Sequence, residues 1–220
     1  MTGKLRLVIF DLDGTLVDAY KAVASSINYM LAQIGCPPAD DETIRRSVGW
    51  GIRHLVGTFS GEENVDKALS IYRQHHARAL KSGTTCLPGA RALIDQLKAQ
   101  GYRLAIASNR PARFTHIILK HLKIQSFFDH VICADEVEHP KPAPDMLQKI
   151  LTKLSLDPSE ALYVGDMTID VQTGHAAGIK TVAVITGSSD REEIARLGPL
   201  KIMDNILEVV DILAEKDICC

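Results

Sequence analysis

Short apolar runs recur along the chain, and each of them ends in a polar or small residue. They cover residues 7–10, 104–107, 131–134, 161–164, 181–185 and 201–203. Apolar runs of this length, rich in β-branched residues, are typical of strands that are buried on both faces. The pattern therefore predicts the strands of a parallel sheet.

Between these runs, apolar residues repeat with the period of a helix. The repeats predict helices around residues 90–97, 114–122, 146–154, 168–177 and 206–213. Gly101 and Gly178 mark helix ends, and Pro111 and Pro144 lie near helix starts. Strands that alternate with helices in this way predict an α/β fold with a doubly wound parallel sheet, a Rossmann-like core.

The stretch of residues 17–85 breaks this alternation, because it has helical repeats but no convincing strand. Its repeats predict four helices, around residues 23–34, 44–48, 52–56 and 65–80. We therefore expect an inserted all-helical cap domain at residues 17–85, and a core built from residues 1–16 and 86–220. The cap can cover the strand ends of the core as a lid.

Composition narrows the function classes. The 220 residues carry a formal net charge of −2, and basic residues are scattered, so nothing favours nucleic acid as a partner. No apolar stretch reaches the ~18 residues that span a membrane, and the first strand begins too early for a signal peptide. The five cysteines form no Cys-x-x-Cys pair. A cytoplasmic protein is expected, with the oligomeric state, monomer or homodimer, left open.

Polar residues with complementary chemistry follow several of the predicted strands. In a parallel α/β sheet, ligands bind outside the carboxyl ends of the strands, so we expect these side chains to meet at one edge. They are Asp11 and Asp13, Ser108 and Asn109, Lys141, and Asp166 and Asp170.

Carboxylates gathered in one pocket need a counter-charge. Two of them ~4 Å apart repel each other by about 4 kcal/mol at an effective dielectric constant of about 20. A bound divalent cation removes that cost, and an all-oxygen site with few protein ligands suits Mg²⁺. Ser108, Asn109 and Lys141 supply the hydroxyl, amide and ammonium donors that phosphate oxygens accept. Together these groups indicate phosphoryl transfer, in which an aspartate can be the covalent nucleophile.

Four motifs in order carry a family resemblance. They are residues 11–18 (DLDGTLVD), 108–110 (SNR), 141–145 (KPAPD) and 165–170 (GDMTID). With these motifs the chain resembles the haloacid dehalogenase-like hydrolase superfamily, and within it the phosphoglycolate phosphatase-like group, whose helical cap follows the first strand.

The resemblance implies a role for each matching residue. Asp11 would attack phosphorus, and Asp13 would protonate the leaving oxygen and then activate water. Asp11, the Asp13 backbone carbonyl and Asp166 would bind Mg²⁺. Ser108 and Lys141 would hold the phosphoryl group, with Asn109 nearby. Asp170 would bind the metal through water, or orient Lys141 or the metal site.

The resemblance also implies a reaction. The expected activity is Mg²⁺-dependent hydrolysis of a small phosphorylated metabolite, with 2-phosphoglycolate first among the substrates. A phosphosugar mutase of the β-phosphoglucomutase kind and an inorganic pyrophosphatase remain alternatives on the same fold. An aspartate at position 13 is typical of hydrolases and mutases, and Gly165 before Asp166 is more typical of the phosphatases.

Three further residues are candidates for substrate specificity. Trp50 could cover the bound substrate, or pack within the cap. Arg53 could pair with a substrate carboxylate, or be a solvated helix charge. Arg110 could contact a substrate anion, or form a surface salt bridge.

Overall fold

A six-stranded parallel sheet lies at the centre of the part of the chain that the structure describes, residues 4–214. In this computed structural model the strands of this sheet are β1 (Leu7–Phe10), β4 (Arg103–Ser108), β5 (His130–Cys133), β6 (Ala161–Gly165), β7 (Lys180–Val184) and β8 (Lys201–Met203). Two further strands, β2 (Val17–Asp18) and β3 (Thr85–Cys86), form a separate pair. The order across the large sheet is β5-β4-β1-β6-β7-β8. The predicted doubly wound parallel sheet is thereby confirmed.

Ten α-helices accompany these strands within residues 4–214. They are α1 (Tyr20–Ile34), α2 (Asp41–Arg46), α3 (Ile52–Ser60), α4 (Val65–Ala79), α5 (Ala90–Ala99), α6 (Ala112–His121), α7 (Asp145–Leu154), α8 (Thr168–Ala177), α9 (Arg191–Ala195) and α10 (Val209–Ala214). The short α9 was not predicted, because a five-residue helix with one buried residue, Ile194, leaves no periodic pattern in the sequence.

The central strand β1 explains why the first apolar run has no polar position. Val8 and Phe10 belong to a core that includes residues of α5, α6 and α10, whereas Leu7 and Ile9 belong to the core on the other face, with α7. All four side chains are fully buried. Side chains alternate between the two faces of a strand, so a strand covered on both faces must be apolar throughout.

Helices α1–α4 form the helical segment, Tyr20–Ala79, which follows β1 in the chain. They share a hydrophobic cluster of their own that includes Ile27, Met30, Ile44 and Tyr72. The two connections to the rest of the chain run side by side, because β2 and β3 pair as a two-residue antiparallel ribbon. This ribbon was not predicted, since two residues are too few to show an alternating pattern.

None of the helices within residues 4–214 combines the length and the apolarity needed to cross a membrane. Three cysteines, Cys36, Cys86 and Cys133, are free thiols. Cys219 and Cys220 lie outside the described residues.

Candidate active site

The carboxyl ends of three neighbouring strands supply the centre of the site. Asp11 follows β1, Ser108 ends β4 and Asp166 follows β6, and all three side chains are buried. The chain turns at Gly14 with a φ of 87°, a conformation that glycine adopts without a Cβ penalty. A Cβ on Gly14 would clash with Asp166 Oδ2, so the backbone approaches this carboxylate as only glycine permits.

Lys141 connects the carboxylates of this centre. Its Nζ donates to Asp11 Oδ1 at 2.6 Å, to Asp170 Oδ1 at 2.7 Å and to the Tyr163 hydroxyl at 3.1 Å. The side chain is only 3% exposed. Burial alone lowers the pKa of Lys141, but the charges of Asp11 and Asp170 outweigh it and raise the pKa well above its ordinary value. The lysine is therefore a fixed positive charge beside Asp11.

Both carboxylate oxygens of Asp170 are occupied by protein donors. Oδ1 accepts from Lys141 and from the Tyr163 hydroxyl, the latter at 2.7 Å. Oδ2 accepts from the backbone N–H groups of Asp166 and Met167, at 3.2 and 3.0 Å. A carboxylate offers about four acceptor positions. Asp170 is thus arranged to orient Lys141 and the turn before α8.

Asp166 differs from Asp170, because one of its oxygens has no partner among the described residues. Oδ1 accepts from the Thr15 hydroxyl at 2.6 Å, whereas Oδ2 is buried and unpaired. Burial, followed by the charges of Asp11 and Asp170, raises the pKa of Asp166 well above its ordinary value. An unpaired buried carboxylate oxygen is costly, and a cation in contact with it removes the cost.

The charge balance of the centre also favours a divalent cation. Asp11, Asp166 and Asp170 each offer a carboxylate oxygen, and these atoms all lie within 4.8 Å of one another. Among residues 4–214, the one ammonium paired with these carboxylates is that of Lys141. Burial raises the pKa of Asp11 to about 7, although Lys141 pulls it down. Carboxylate oxygens are the ligands of hard cations such as Mg²⁺, so the residues present fit such an ion.

We expect Mg²⁺ to stabilise the folded protein and Asp166→Asn to abolish most of that effect. A ligand present at about 100 times its Kd adds about 2.7 kcal/mol to the free energy of unfolding, and the variant loses the oxygen that has no other partner. Thermal unfolding with MgCl₂ and with EDTA measures the difference in Tm. Asp211→Asn, which changes an exposed residue of α10, is the control and should keep the full shift. An equal Mg²⁺ shift in Asp166→Asn would contradict this assignment.

Ser108 and Asn109 have different surroundings. The Ser108 hydroxyl oxygen accepts from the Arg110 backbone N–H at 3.2 Å, which leaves its own O–H free to donate. The Asn109 amide donates to the backbone carbonyls of Gly49 and Lys141, at 3.0 and 3.1 Å, and accepts from the Lys141 N–H at 3.0 Å. The Asn109 side chain therefore ties the lysine loop to the helical segment, and its phosphate contact stays a prediction.

Asp13 lies against Arg110 in a partly buried bidentate pair. Arg110 Nε donates to Asp13 Oδ2 and Nη2 donates to Oδ1, both at 2.7 Å. The side chains of Arg110 and Asp13 are 8% and 13% exposed, respectively. Arg110 Nη1 also lies 2.8 Å from His76 Nε2 on α4. Sequence reasoning did not single out His76 for the site, because a histidine at a helical repeat position reads as an ordinary core residue.

A cavity of about 50 Å³ lies between the helical segment and the strand ends. Its floor includes Asp11, Asp13 and Lys141, and its roof is largely apolar. The apolar lining residues are Val23, Val48, Ile52, Leu55, Tyr72, Pro111, Phe114, Met167 and Ile169. Apolar walls strengthen the electrostatic interactions beside them, because they displace water from part of the site.

Two of the three specificity candidates lie away from this cavity. Trp50 is 46% exposed and tilts against His54, with ring centroids 6.4 Å apart. Arg53 pairs with Asp66 at 2.7 Å, and its side chain is 57% exposed. Neither residue lines the cavity, whereas Arg110 does. A substrate contact by Trp50 or Arg53 would require the side chain to turn toward the cavity, and stays a prediction.

Comparisons with known proteins agree with this geometry. A family model described as "Haloacid dehalogenase-like hydrolase" matches residues 8–184. "Phosphoglycolate phosphatase 1" of Pseudomonas aeruginosa is 33% identical over 214 residues, which cover 93% of this chain and 78% of that protein. "Phosphoglycolate phosphatase" of Psychrobacter arcticus is 31% identical over 219 residues, covering 94% and 95%.

A solved structure extends the similarity to the whole fold. The crystal structure of a predicted phosphoglycolate phosphatase from Haemophilus somnus 129PT superposes with a TM-score of 0.89 at 26% identity. The match covers 96% of this chain and 99% of that one. The helical segment, the sheet and the strand-end loops of this chain therefore all have counterparts in one protein of known structure.

Proposed function

This chain belongs to the haloacid dehalogenase-like hydrolase family, and from its site we propose a Mg²⁺-dependent phosphomonoester hydrolase that works through a phosphorylated Asp11. The observation that carries the proposal is the cluster in which Asp11 faces Lys141 and the unpaired oxygen of Asp166. Phosphoryl transfer through an aspartate needs a nucleophilic carboxylate, a positive charge in a fixed position and an oxygen that can bind a metal ion. Asp11, Lys141 and Asp166 supply these three groups.

In the first half of the reaction, an oxygen of Asp11 attacks the phosphorus of the substrate. The free O–H of Ser108 and the ammonium of Lys141 donate to the phosphoryl oxygens, on which charge builds up. The bond from phosphorus to the leaving oxygen breaks, and Asp13 gives that oxygen a proton. The products are an aspartyl-phosphate at Asp11 and the free alcohol.

In the second half, water replaces the alcohol. Asp13, now a carboxylate, takes a proton from water, and the hydroxide oxygen attacks the phosphorus of the aspartyl-phosphate. The acyl-phosphate bond breaks, inorganic phosphate leaves, and the carboxylate of Asp11 is regenerated. Asp13 thus returns to its protonated state at the end of each cycle.

Asp11, Asp166 and the backbone carbonyl of Asp13 would hold Mg²⁺. When bound, the ion offsets the buried negative charge and neutralises part of the charge on the phosphoryl group. Asp170 orients the same centre, because its oxygens accept hydrogen bonds from Lys141 Nζ and from the backbone N–H of Asp166.

We also propose that residues 17–85 are a cap domain over a core of residues 1–16 and 86–220. The separate hydrophobic cluster of α1–α4 and the ribbon of β2 and β3 support this division. Contacts across the boundary include Arg45, which donates to the carbonyl of Thr186 at 2.9 Å, and Asn109, which donates to that of Gly49. A closed cap excludes bulk water from the first half-reaction.

A small phosphorylated acid, with 2-phosphoglycolate first, fits this site as substrate. The two bacterial relatives described above are phosphoglycolate phosphatases. Arg110 lines the cavity, and not all of its N–H donors are used by Asp13 and His76. A guanidinium with free donors suits the carboxylate of such a substrate.

Steady-state assays test the proposed function. Purified protein should hydrolyse p-nitrophenyl phosphate and 2-phosphoglycolate with Mg²⁺, and EDTA should remove the activity until Mg²⁺ is restored. Pyrophosphate, sugar phosphates and nucleotide monophosphates complete the panel, and kcat/KM ranks the substrates. Turnover that survives EDTA would refute the metal-dependent mechanism. Interconversion of sugar phosphate isomers faster than phosphate release would identify a mutase instead.

A further inference from the structure

His76 is a buried histidine that the mechanism above does not use. It lies on α4 with no exposed surface, stacked on Tyr72 at 4.6 Å and edge-on to Phe114 at 5.1 Å between ring centroids. A buried polar ring needs hydrogen-bond partners. Both nitrogens have one: Nε2 lies 2.8 Å from Arg110 Nη1, and Nδ1 lies 3.0 Å from the Ser26 hydroxyl oxygen.

The chemistry of these partners fixes the direction of every hydrogen bond. A guanidinium only donates, so Nε2 of His76 accepts and Nδ1 carries the proton. Nδ1–H then donates to the Ser26 oxygen, and the Ser26 hydroxyl donates to the Ala22 carbonyl at 2.7 Å. Burial, reinforced by the charge of Arg110, lowers the pKa of His76 to about 2. The neutral histidine is thus held in a single tautomer.

The other end of this chain of bonds is the carboxylate of Asp13. Arg110 donates hydrogen bonds to both oxygens of Asp13, through Nε and Nη2. The guanidinium is therefore held from two sides, by Asp13 of the core and by His76 of the helical segment. Because Arg110 bonds to both residues, a change in the position of His76 should shift the guanidinium and, with it, the carboxylate of Asp13.

We propose that His76 is a positioning residue for the proton-transferring carboxylate, and that it acts on Asp13 through Arg110. The proposal rests on the proposed function, because it takes Asp13 as the acid and base. His76 accepts a bond that keeps the guanidinium in place, and the guanidinium keeps the carboxyl group beside the cavity. When Asp13 is protonated, one oxygen turns its O–H toward the leaving oxygen while the other keeps its bond to Arg110.

Leaving groups of different basicity separate this role from a merely structural one. An alkoxide is a poor leaving group and needs the proton of Asp13, whereas p-nitrophenolate leaves without one. The ratio of kcat/KM for an alkyl phosphate that has no carboxylate to kcat/KM for p-nitrophenyl phosphate therefore reports on proton donation in the first half-reaction. Neither of these substrates offers Arg110 the carboxylate that 2-phosphoglycolate has. A general loss of folded protein lowers both values and leaves the ratio unchanged.

The variant His76→Phe removes the acceptor and keeps an aromatic ring against Tyr72 and Phe114. We expect it to lower the ratio about tenfold, a modest part of what general acid catalysis contributes. His76→Gln offers a carbonyl oxygen in place of Nε2 and should restore most of the ratio. The matched control is His75→Phe, because the His75 ring contacts Ser26, at 3.1 Å, and stacks on Tyr29 rather than bonding to Arg110. It should leave the ratio unchanged.

A second measurement does not depend on turnover. The Nε–H proton of Arg110 should exchange slowly with water in NMR spectra of the wild type and of His76→Gln, and faster in His76→Phe. Equal losses for both substrates, or an unchanged exchange rate in His76→Phe, would overturn the positioning role while the hydrolase assignment stands. Absence of turnover in the wild type would overturn the proposed function, and the role of His76 with it.

Discussion

Replacing Asp11 by asparagine is expected to lower kcat by about 10³-fold or more, because the variant lacks the carboxylate that attacks phosphorus. The amide oxygen of the new side chain can still accept from Lys141, so the geometry of the site should persist. Phosphate release from p-nitrophenyl phosphate and from 2-phosphoglycolate measures the loss. Acid quenching during turnover should trap a phosphorylated protein in the wild type and none in the variant.

Stability measurements distinguish this loss from unfolding. Asp11 adds a third buried carboxylate to a centre that has one ammonium, and its pKa is raised, mainly by burial. Removing one charge relieves repulsion, so Asp11→Asn should have a Tm in EDTA at or above that of the wild type. Asp211→Asn, on the exposed face of α10, should change neither activity nor Tm appreciably. Full activity in Asp11→Asn would refute the covalent mechanism.

The central strands β1, β4, β6 and β7 were predictable because they are buried on both faces. The predicted run at β1 has the same bounds as the observed strand. The predicted runs at β4, β5, β6 and β7 differ from their observed strands by one residue at one or both ends. An unbroken apolar run leaves little freedom in placing a strand of this kind. The unpredicted elements, α9 and the ribbon of β2 and β3, are too short to produce a period in the sequence.

The sequence predicts the site residues that follow the ends of strands, but not the contacts that other residues make with them. Asp11, Ser108 and Asp166 meet because parallel strands end at one edge of a sheet. The contacts of Arg110 with Asp13 and His76 cross between segments that are far apart in the chain. No spacing within the sequence encodes such a contact, since it depends on where the helical segment rests on the core.

Replacing Lys141 by methionine is expected to lower both stability and activity. Methionine has a similar length but leaves Asp11 and Asp170 buried without their cation. Breaking a buried ion pair by removing one partner typically costs about 3–5 kcal/mol. Activity should fall by about 10²-fold or more, because the phosphoryl group loses an electrostatic partner in the transition state. Urea unfolding and steady-state kinetics, each with Mg²⁺ and with EDTA, measure the two effects.

The two effects of Lys141→Met should respond differently to Mg²⁺. A divalent cation near Asp11 replaces part of the missing positive charge, so saturating Mg²⁺ should recover part of the lost stability. It should not recover kcat, because the ammonium also donates hydrogen bonds in a fixed direction, which a cation at the carboxylates does not supply. Lys153→Met, at an exposed position of α7, should change neither quantity. If Mg²⁺ restored both stability and kcat, Lys141 would serve the site through its charge alone, and its proposed contact with the phosphoryl group would be wrong.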